Sequence, residues 1–297
     1  MLKDTDSLVR DAGSFLIVTS KRNVKGVIDL STIKDQCCAK RAIEVAVAGF
    51  HKIIIGGPKS SGKSMLLSAL PSLLPDDINV RFLFPNYQLK MKNIIPTNGV
   101  LIIDDIDLFD TPFINSLKAP LDTERFMLAA SFDRIAAPME AAPLDWMASP
   151  GVGGSVGSIN KKLGPIFDRF ELKIMVKEIQ MNDIIFLKKD EPPALIKIRI
   201  ARAWKIQELR FKKFIDENEK MFNGQMDNKM TLKMCKIDDD TKKMMDFAVK
   251  KHGLTPRDYF NVLKVARTIA DLTGYARIKI NHVHEALQYI RMPSQNS

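Results

Sequence analysis

Two patterns of hydrophobic and polar positions alternate along the chain up to about residue 190. Short apolar runs, which are typical of buried strands, predict strands at 52–55, 100–105, 126–130 and 170–176. Between them, apolar residues recur at helical spacing, most clearly over 31–49, where Ser31 or Thr32 offers an N-cap. Strands that alternate with helices predict an α/β fold, a mostly parallel sheet covered by helices on both faces.

After Pro192-Pro193 the pattern becomes entirely helical, with predicted helices at 194–220, 238–252, 255–272 and 279–290. We therefore expect three parts: an N-terminal extension (1–28), an α/β domain (29–190) and an all-α domain (191–297). The extension contains SFLIVTS, which is interpreted either as an edge strand or as a leader. The Gly-rich stretch GVGGSVGS (151–158) lies inside the α/β part and predicts a loop.

A Gly-rich stretch lies between the first predicted strand and a helix, and it fits the pattern GxxxxGK[ST]. Its residues are Gly57, Pro58, Lys59, Ser60, Ser61, Gly62, Lys63 and Ser64. The glycines let backbone N–H groups turn toward phosphate oxygens, and the following helix adds its positive N-terminal end. Lys63 can reach the β- and γ-phosphates, and the Ser64 hydroxyl can ligate Mg²⁺. The strand–loop–helix context therefore predicts binding of a nucleotide such as ATP.

Two adjacent carboxylates end the predicted strand VLIIDD. Asp104 is placed to hold Mg²⁺ through water, and Asp105 is placed to polarise an attacking water molecule. Asp107, two residues further on, is interpreted as a helix cap or a solvated residue. The alternative is that these acids only cap the next turn, but the P-loop upstream favours a metal site.

The chain carries 45 Lys+Arg against 35 Asp+Glu, a net charge of +10. This excess favours a polyanionic partner such as DNA, although a basic surface without a partner is the alternative. The predicted helix 194–220 carries eight basic residues beside an apolar face. It indicates either a DNA-binding face or a solvated face whose apolar stripe packs on the rest of the domain.

No apolar run approaches the roughly 20 residues that span a bilayer, and the N-terminus lacks the order of a signal peptide. Cys37, Cys38 and Cys235 fit neither a disulfide framework nor a zinc-binding spacing. We expect a cytoplasmic protein without a membrane partner.

These motifs, in this order, resemble the AAA+ ATPases of the magnesium-chelatase superfamily, in its competence-related ComM/YifB-type branch. The resemblance runs from about Asp29 to Arg291 and is most specific in LTPRDYFNVLKVARTIADLTG and INHVHEALQYIR. DLSTIKDQCCAKRAIEVAVAGFHKIIIGGP and LGPIFDRFEL add to it. The resemblance implies a P-loop AAA+ parallel sheet flanked by helices, followed by an all-α lid domain.

The resemblance also implies a role for each matching residue at the nucleotide. Lys63 and Ser64 would hold the phosphates and Mg²⁺, and Asp104 is the Walker B aspartate. Asp133 falls at the sensor 1 position, after the strand FMLAAS.

Two arginines complete the implied site. Arg169, in FDRF, falls at the arginine finger that reaches a neighbouring subunit's nucleotide, and Arg257, in LTPRD, falls at sensor 2 on the lid. Without the resemblance, Arg169 would be interpreted as a surface salt-bridge partner. Arg257, in the first turn of a helix, is badly placed for the helix dipole. A finger offered to a neighbour implies a homo-oligomer, and the family forms rings, usually hexamers.

The chain departs from the family at two acidic positions. Asp105 stands where the family has glutamate, and a misplacement of about 1 Å at a catalytic group can reduce the rate on the order of 10²-fold. Asp133 stands where the family has asparagine, and its negative charge should repel the γ-phosphate unless it is protonated or paired. We therefore expect Mg²⁺ binding with slow turnover.

The chain also lacks segments that the family carries. The stretches 65–103 and APLDTERF are short where the family has inserted loops, and a Cys-rich segment after sensor 1 is replaced. We also expect no counterpart of the family's larger N-terminal Lon-like domain in the residues before Asp29.

Three functions follow as hypotheses. The first is an ATP-hydrolysing ring that moves or remodels DNA, since the family's well-described member is a DNA helicase that promotes branch migration. The second is a nucleotide-binding subunit with little hydrolysis that acts through a protein partner. The third, a chelatase subunit that drives metal insertion into a porphyrin, is disfavoured by the C-terminal resemblance.

Overall fold

A computed structural model describes residues 28–33, 36–83, 94–133, 162–178, 191–216 and 219–290. Its strands are β1 (Ile53–Gly57), β2 (Val80–Leu83), β3 (Val100–Ile103), β4 (Met127–Asp133) and β5 (Leu172–Met175). All pairings are parallel, and the order across the sheet is β2-β3-β4-β1-β5. This confirms the predicted α/β fold with a parallel sheet, although β2, a short run interrupted by Arg81, was not predicted.

The helices of the α/β part are α1 (Cys37–Gly49), α2 (Lys63–Ala69), α3 (Thr111–Ser116), α4 (Lys118–Thr123) and α5 (162–167). The prediction that Ser31 or Thr32 caps the first helix was wrong. Leu30–Thr32 form a separate 3₁₀ turn capped by Asp29, whose side chain accepts a hydrogen bond from the Ser31 backbone at 2.9 Å. The turn ends at Ile33, whose backbone is extended, before α1 begins.

The C-terminal part is helical, as predicted. It contains α6 (Pro193–Phe211), α7 (Asn228–Met234), α8 (Asp239–His252), α9 (Pro256–Leu272) and α10 (Ile280–Ile290). α6 ends at Phe211, earlier than the predicted 220, and α7 was not predicted. α9 begins with a capping box in which Thr255 and Asp258 bond to each other's backbone N–H groups.

Alternate residues of each strand face two different apolar cores. In β1, Ile54 faces the core beneath α3, α4 and α5, whereas Ile53 and Ile55 face the core formed with α1. The second of these cores continues without a break into α6, α9 and α10. The helical part therefore shares its core with one face of the sheet, which fixes its position.

Polar contacts place the helical part at one end of α1, close to the start of β1. The indole N–H of Trp204 donates to the Val47 carbonyl at 3.2 Å, and Gln207 Nε2 donates to the Ala48 carbonyl at 2.8 Å. A further bond joins the end of α10 to the sheet: Lys173 Nζ in β5 donates to the Ile290 carbonyl at 3.1 Å.

Several predictions concern residues outside the described ranges. The strand or leader SFLIVTS and the loop 151–158 both lie there. The division at residues 28 and 190 stays a prediction. None of the helices among the described residues is both long and apolar enough to cross a membrane, and a cytoplasmic location stays a prediction.

Candidate nucleotide-binding site

The P-loop is the connection between β1 and α2, and its glycines meet steric demands that other residues would not. Gly62 has φ +88°, in the left-handed region. A Cβ at Gly57 would lie 2.6 Å from Val176 Cγ2 and 2.8 Å from the Val176 carbonyl oxygen. Both positions therefore require glycine for the loop to turn as it does.

Side chains hold the loop in this shape. Ser61 Oγ donates to the Pro58 carbonyl at 2.8 Å. Gln36, which precedes α1, donates from Nε2 to the Lys177 carbonyl at 2.9 Å and to the Ser61 carbonyl at 3.5 Å. Sequence reasoning did not single out Gln36. Its only signal was its place in the stretch DLSTIKDQCCAKRA.

Lys63 points into the loop, and its side chain is only 5% exposed. Its ammonium donates to the carbonyl oxygens of Pro58 at 2.7 Å and Gly57 at 3.2 Å. It also forms an ion pair with Asp133, with 2.9 Å between Nζ and Oδ1. Lys59, which is well exposed, lies 4.0 Å from the other oxygen of Asp133. The structure thus pairs Asp133 with Lys63 of the loop.

The two acids after β3 are linked through a hydroxyl on the adjacent strand β4. Ser131 Oγ donates to Asp104 Oδ1 at 2.5 Å and accepts the Asp105 backbone N–H at 2.8 Å. Ser131 is completely buried. Sequence reasoning missed it, although it is the hydroxyl in an apolar strand two residues before Asp133 and therefore on the same face.

Asp105 lies half-buried in an electronegative part of the site. Burial raises the pKa of its carboxyl to about 6, and the negative charges of Asp104, Asp133 and Asp107 add to this effect, while Lys63 opposes it. Asp105 precedes a 3₁₀ turn, but its side chain makes no capping bond there. The alternative interpretation, in which it only caps the next turn, is wrong.

The sequence analysis interpreted Asp107 as a helix cap or a solvated residue, but the structure shows neither. Its Oδ1 accepts the backbone N–H of Asp133 at 3.2 Å, and Lys162 Nζ donates to its carbonyl at 2.6 Å. Burial raises the pKa of Asp107. Its bond therefore helps to fix the end of β4, where Asp133 lies.

The residues at this edge fit a magnesium nucleotide. Ser64 is exposed in the first turn of α2, and Asp104 is partly buried at the end of β3. Mg²⁺ usually takes one or two protein oxygens together with phosphate oxygens and waters. Ser64 and Asp104 are the two protein groups that would supply those oxygens.

Arg169 and Arg257 meet at a shared carboxylate. Arg169 Nη2 lies 2.5 Å from Asp122 Oδ2, and its Nη1 donates to the Pro165 carbonyl at 2.7 Å. Arg257 Nη2 lies 3.7 Å from the other oxygen of Asp122. The Arg169 side chain is 12% exposed and that of Arg257 46% exposed.

The arginine cleft, a polar cleft of about 730 Å³, contains both arginines together with Asp122. Lys52, which precedes β1, also lines it. Because the strands are parallel, the starts of the strands lie at the edge of the sheet opposite the P-loop. One chain therefore does not bring Arg169 and Arg257 to Lys63.

Two segments of the chain match known protein families. Residues 190–290 match the family described as magnesium chelatase, subunit ChlI C-terminal. Residues 29–83 match magnesium chelatase, subunit ChlI.

Two curated relatives align over most of the chain. The chain is 27% identical to the competence protein ComM of Haemophilus influenzae, over 90% of this chain and 61% of that protein. It is 25% identical to the uncharacterized protein YifB of Escherichia coli, over 88% of this chain and 60% of that protein. The chain thus spans about 60% of the length of these relatives.

Proposed function

The chain belongs to the magnesium chelatase ChlI-like family of AAA+ proteins and is a distant homologue of ComM and YifB. From this premise we propose that it binds ATP with Mg²⁺ and hydrolyses it slowly in a homo-oligomeric ring. One observation carries the proposal. The phosphate loop and its acids lie at one edge of the sheet, and two arginines lie at the opposite edge. Head-to-tail contacts, which close into rings, bring opposite edges of neighbouring copies together.

Each residue has a defined task in this reaction. Lys63 and the backbone N–H groups of residues 57–64 bind the phosphates, and Ser64 and Asp104 position Mg²⁺, which offsets negative charge on the phosphates when bound. Asp105 orients the attacking water. Arg169 and Arg257 of the next subunit stabilise the charge that develops on the transferred phosphoryl group.

A subunit with little hydrolysis that acts through a protein partner is the second candidate. Two observations favour it. Asp105 is one methylene shorter than the glutamate of the family, and Lys63 is already paired with Asp133. Both reduce the rate without preventing nucleotide binding.

DNA is the substrate that we propose for the ring. The net charge of +10 supports this, and a relative is named a competence protein. The predicted basic face of α6 contributes less than its composition suggests. Arg199 pairs with Glu44 and Glu191, and Arg210 pairs with Asp271.

Mixing two inactive variants tests the ring. Lys63→Ala lacks a working P-loop but keeps its arginines, and Arg169→Ala lacks the finger but keeps its P-loop. Each alone should hydrolyse ATP at a small fraction of the wild-type rate. In an equal mixture, about a quarter of the interfaces join an intact loop to an intact arginine, so we expect about a quarter of the wild-type rate.

The double variant mixed with Lys63→Ala is the matched control and should regain nothing. Arg257→Ala, whose side chain is half exposed, is a second finger variant should Arg169→Ala fold poorly. A mixture that stays inactive although both proteins fold and assemble would contradict catalysis across an interface. Repeating the assay with double-stranded DNA at two salt concentrations tests the substrate, because binding through phosphates weakens as salt rises.

A further inference from the structure

We propose that Asp133 determines the nucleotide preference of the site, so that the chain binds MgADP more tightly than MgATP. This inference rests on the proposed function, because it requires a nucleotide in the P-loop.

Asp133 occupies a position that a phosphate oxygen would take. A P-loop lysine reaches the β- and γ-phosphates of a bound nucleotide. An ammonium has three N–H donors, and those of Lys63 are directed to Gly57 O, Pro58 O and Asp133 Oδ1. A γ-phosphate that binds Lys63 must therefore compete with the carboxylate of Asp133.

The position of β4 identifies the γ-phosphate as the group affected. β4 lies between β1 and β3, and Asp133 at its end is in register with Gly57. Asp133 therefore lies between the P-loop and Asp105. The γ-phosphate has to lie in this space if Asp105 is to orient the attacking water, whereas the β-phosphate lies within the backbone cradle of residues 57–64.

The charges around this space favour the diphosphate. Asp105 lies close enough to Asp104, Asp107 and Asp133 to feel all three negative charges, and Asp107 accepts the backbone N–H of Asp133. On the positive side, Lys63 is in contact with Asp133, and Lys59 lies at 4.0 Å with its side chain exposed to solvent. The γ-phosphate adds negative charge where acids already outnumber these two lysines, and like charges brought together lower affinity.

An asparagine at 133 would change both the charge and the hydrogen bonding. Its amide has almost the shape of the carboxylate but can donate hydrogen bonds to a phosphate oxygen. Lys63 would then lose its competing ion pair. Asp133→Asn should therefore increase affinity for the triphosphate selectively.

The experiment measures dissociation constants for ADP and for a non-hydrolysable ATP analogue, with Mg²⁺, by displacement of a fluorescent nucleotide. Wild type should bind ADP about tenfold more tightly than the analogue. Asp133→Asn should bind the analogue about tenfold more tightly than wild type does, with a change in ADP affinity of less than about threefold.

Two further variants separate the causes. Asp105→Asn removes one negative charge nearby without touching the Lys63 ion pair, and it should change the ADP-to-analogue ratio less than Asp133→Asn does. Asp133→Ser removes the charge without supplying an amide and should have an intermediate ratio. Thermal unfolding without nucleotide verifies that each variant folds.

The outcomes distinguish the inference from the proposed function. If both nucleotides bind and Asp133→Asn leaves their ratio unchanged, or if wild type prefers the analogue, the inference is wrong while nucleotide binding stands. If wild type binds neither nucleotide, the proposed function fails, and the inference fails with it.

Discussion

Single side chains fix the positions of the acids at the ends of β3 and β4. Ser131 binds the side chain of Asp104 and the backbone of Asp105 with one hydroxyl, so both acids are held relative to β4. Asp105 has φ +48°, a left-handed conformation that is uncommon outside glycine. The bond from its N–H to Ser131 holds the backbone in this conformation, so the length of the side chain determines how far the carboxylate reaches.

Lengthening that side chain tests whether its reach limits the reaction. We expect Asp105→Glu to increase the ATPase rate by about tenfold or more, because an error of about 1 Å at a catalytic group reduces the rate strongly. Steady-state phosphate release, measured with saturating ATP and Mg²⁺, provides the comparison.

Asp105→Asn is the control for this prediction, since it keeps the length of aspartate and removes its charge. It should lower the rate further. An unchanged rate in Asp105→Glu, with ATP still bound, would mean that the length of Asp105 does not limit turnover.

At the scale of elements, a buried charge cluster joins α6 to α9. Asp271 is completely buried and lies 2.5 Å from Arg210 of α6 and 3.0 Å from Arg267 of its own helix. Asn223, in the turn before α7, donates to the same carboxylate at 2.9 Å. A sequence pattern shows α6 as a basic amphipathic helix, but this contact shows that one of its arginines is a structural residue.

Removing the charge of Asp271 should destabilise the protein strongly. Asp271→Asn leaves two largely buried guanidinium groups without their counter-ion, and we expect a loss of about 3 kcal/mol or more in the free energy of unfolding. Urea unfolding followed by circular dichroism measures it.

Asp240→Asn is a matched control, because it breaks the exposed ion pair with Lys243 by the same substitution. This substitution should lower the free energy of unfolding by less than about 1 kcal/mol. Equal losses in the two variants would show that the buried cluster contributes no more than a surface pair.

At the scale of the whole molecule, His51 lies where the sheet meets the helical part. Its Nε2 is 2.7 Å from Thr268 Oγ1 of α9, and it comes directly after Phe50, the C-cap residue of α1. Complete burial lowers the pKa of His51 to about 4. The negative charge of Glu171 raises this pKa, and the positive charges of Lys264 and Lys52 lower it further. The imidazole is therefore neutral in the folded protein at neutral pH.

This buried histidine should make stability depend on pH. The unfolded chain binds a proton near the ordinary histidine pKa of 6.5, whereas the folded protein binds it only near 4. Between these values the unfolded state holds more protons, so stability falls as the pH falls. By linkage, His51 should account for a loss of about 2 kcal/mol between pH 7 and pH 5.

The measurement compares wild type with His51→Gln, whose amide can still reach Thr268, by urea unfolding at several pH values. The slope of stability against pH should be smaller in the variant. His282, whose pKa is also lowered by burial, remains in both proteins and contributes equally. Identical slopes would exclude His51 as the cause.

Sequence reasoning predicted the features that depend on residues close together in the chain. Four strands of the sheet, the strand–loop–helix context of residues 57–64 and the C-terminal helices follow from local periodicity and from glycine and cap residues. Local patterns failed for β2 and α7, which are short, and for the start of α1, where a separate turn precedes the helix.

The sequence by itself determined that this chain carries a phosphate loop, adjacent acids and a helical C-terminal part, because backbone geometry and side-chain type define each of these within a few residues. Only the tertiary structure decided which of these groups meet. Strand order brings Asp133 to Lys63 and Ser131 to Asp104, and parallel strands with the helical part docked on α1 bring Arg169 and Arg257 to Asp122. Such contacts depend on the register of strands and the packing of one core against another, which link residues distant in sequence.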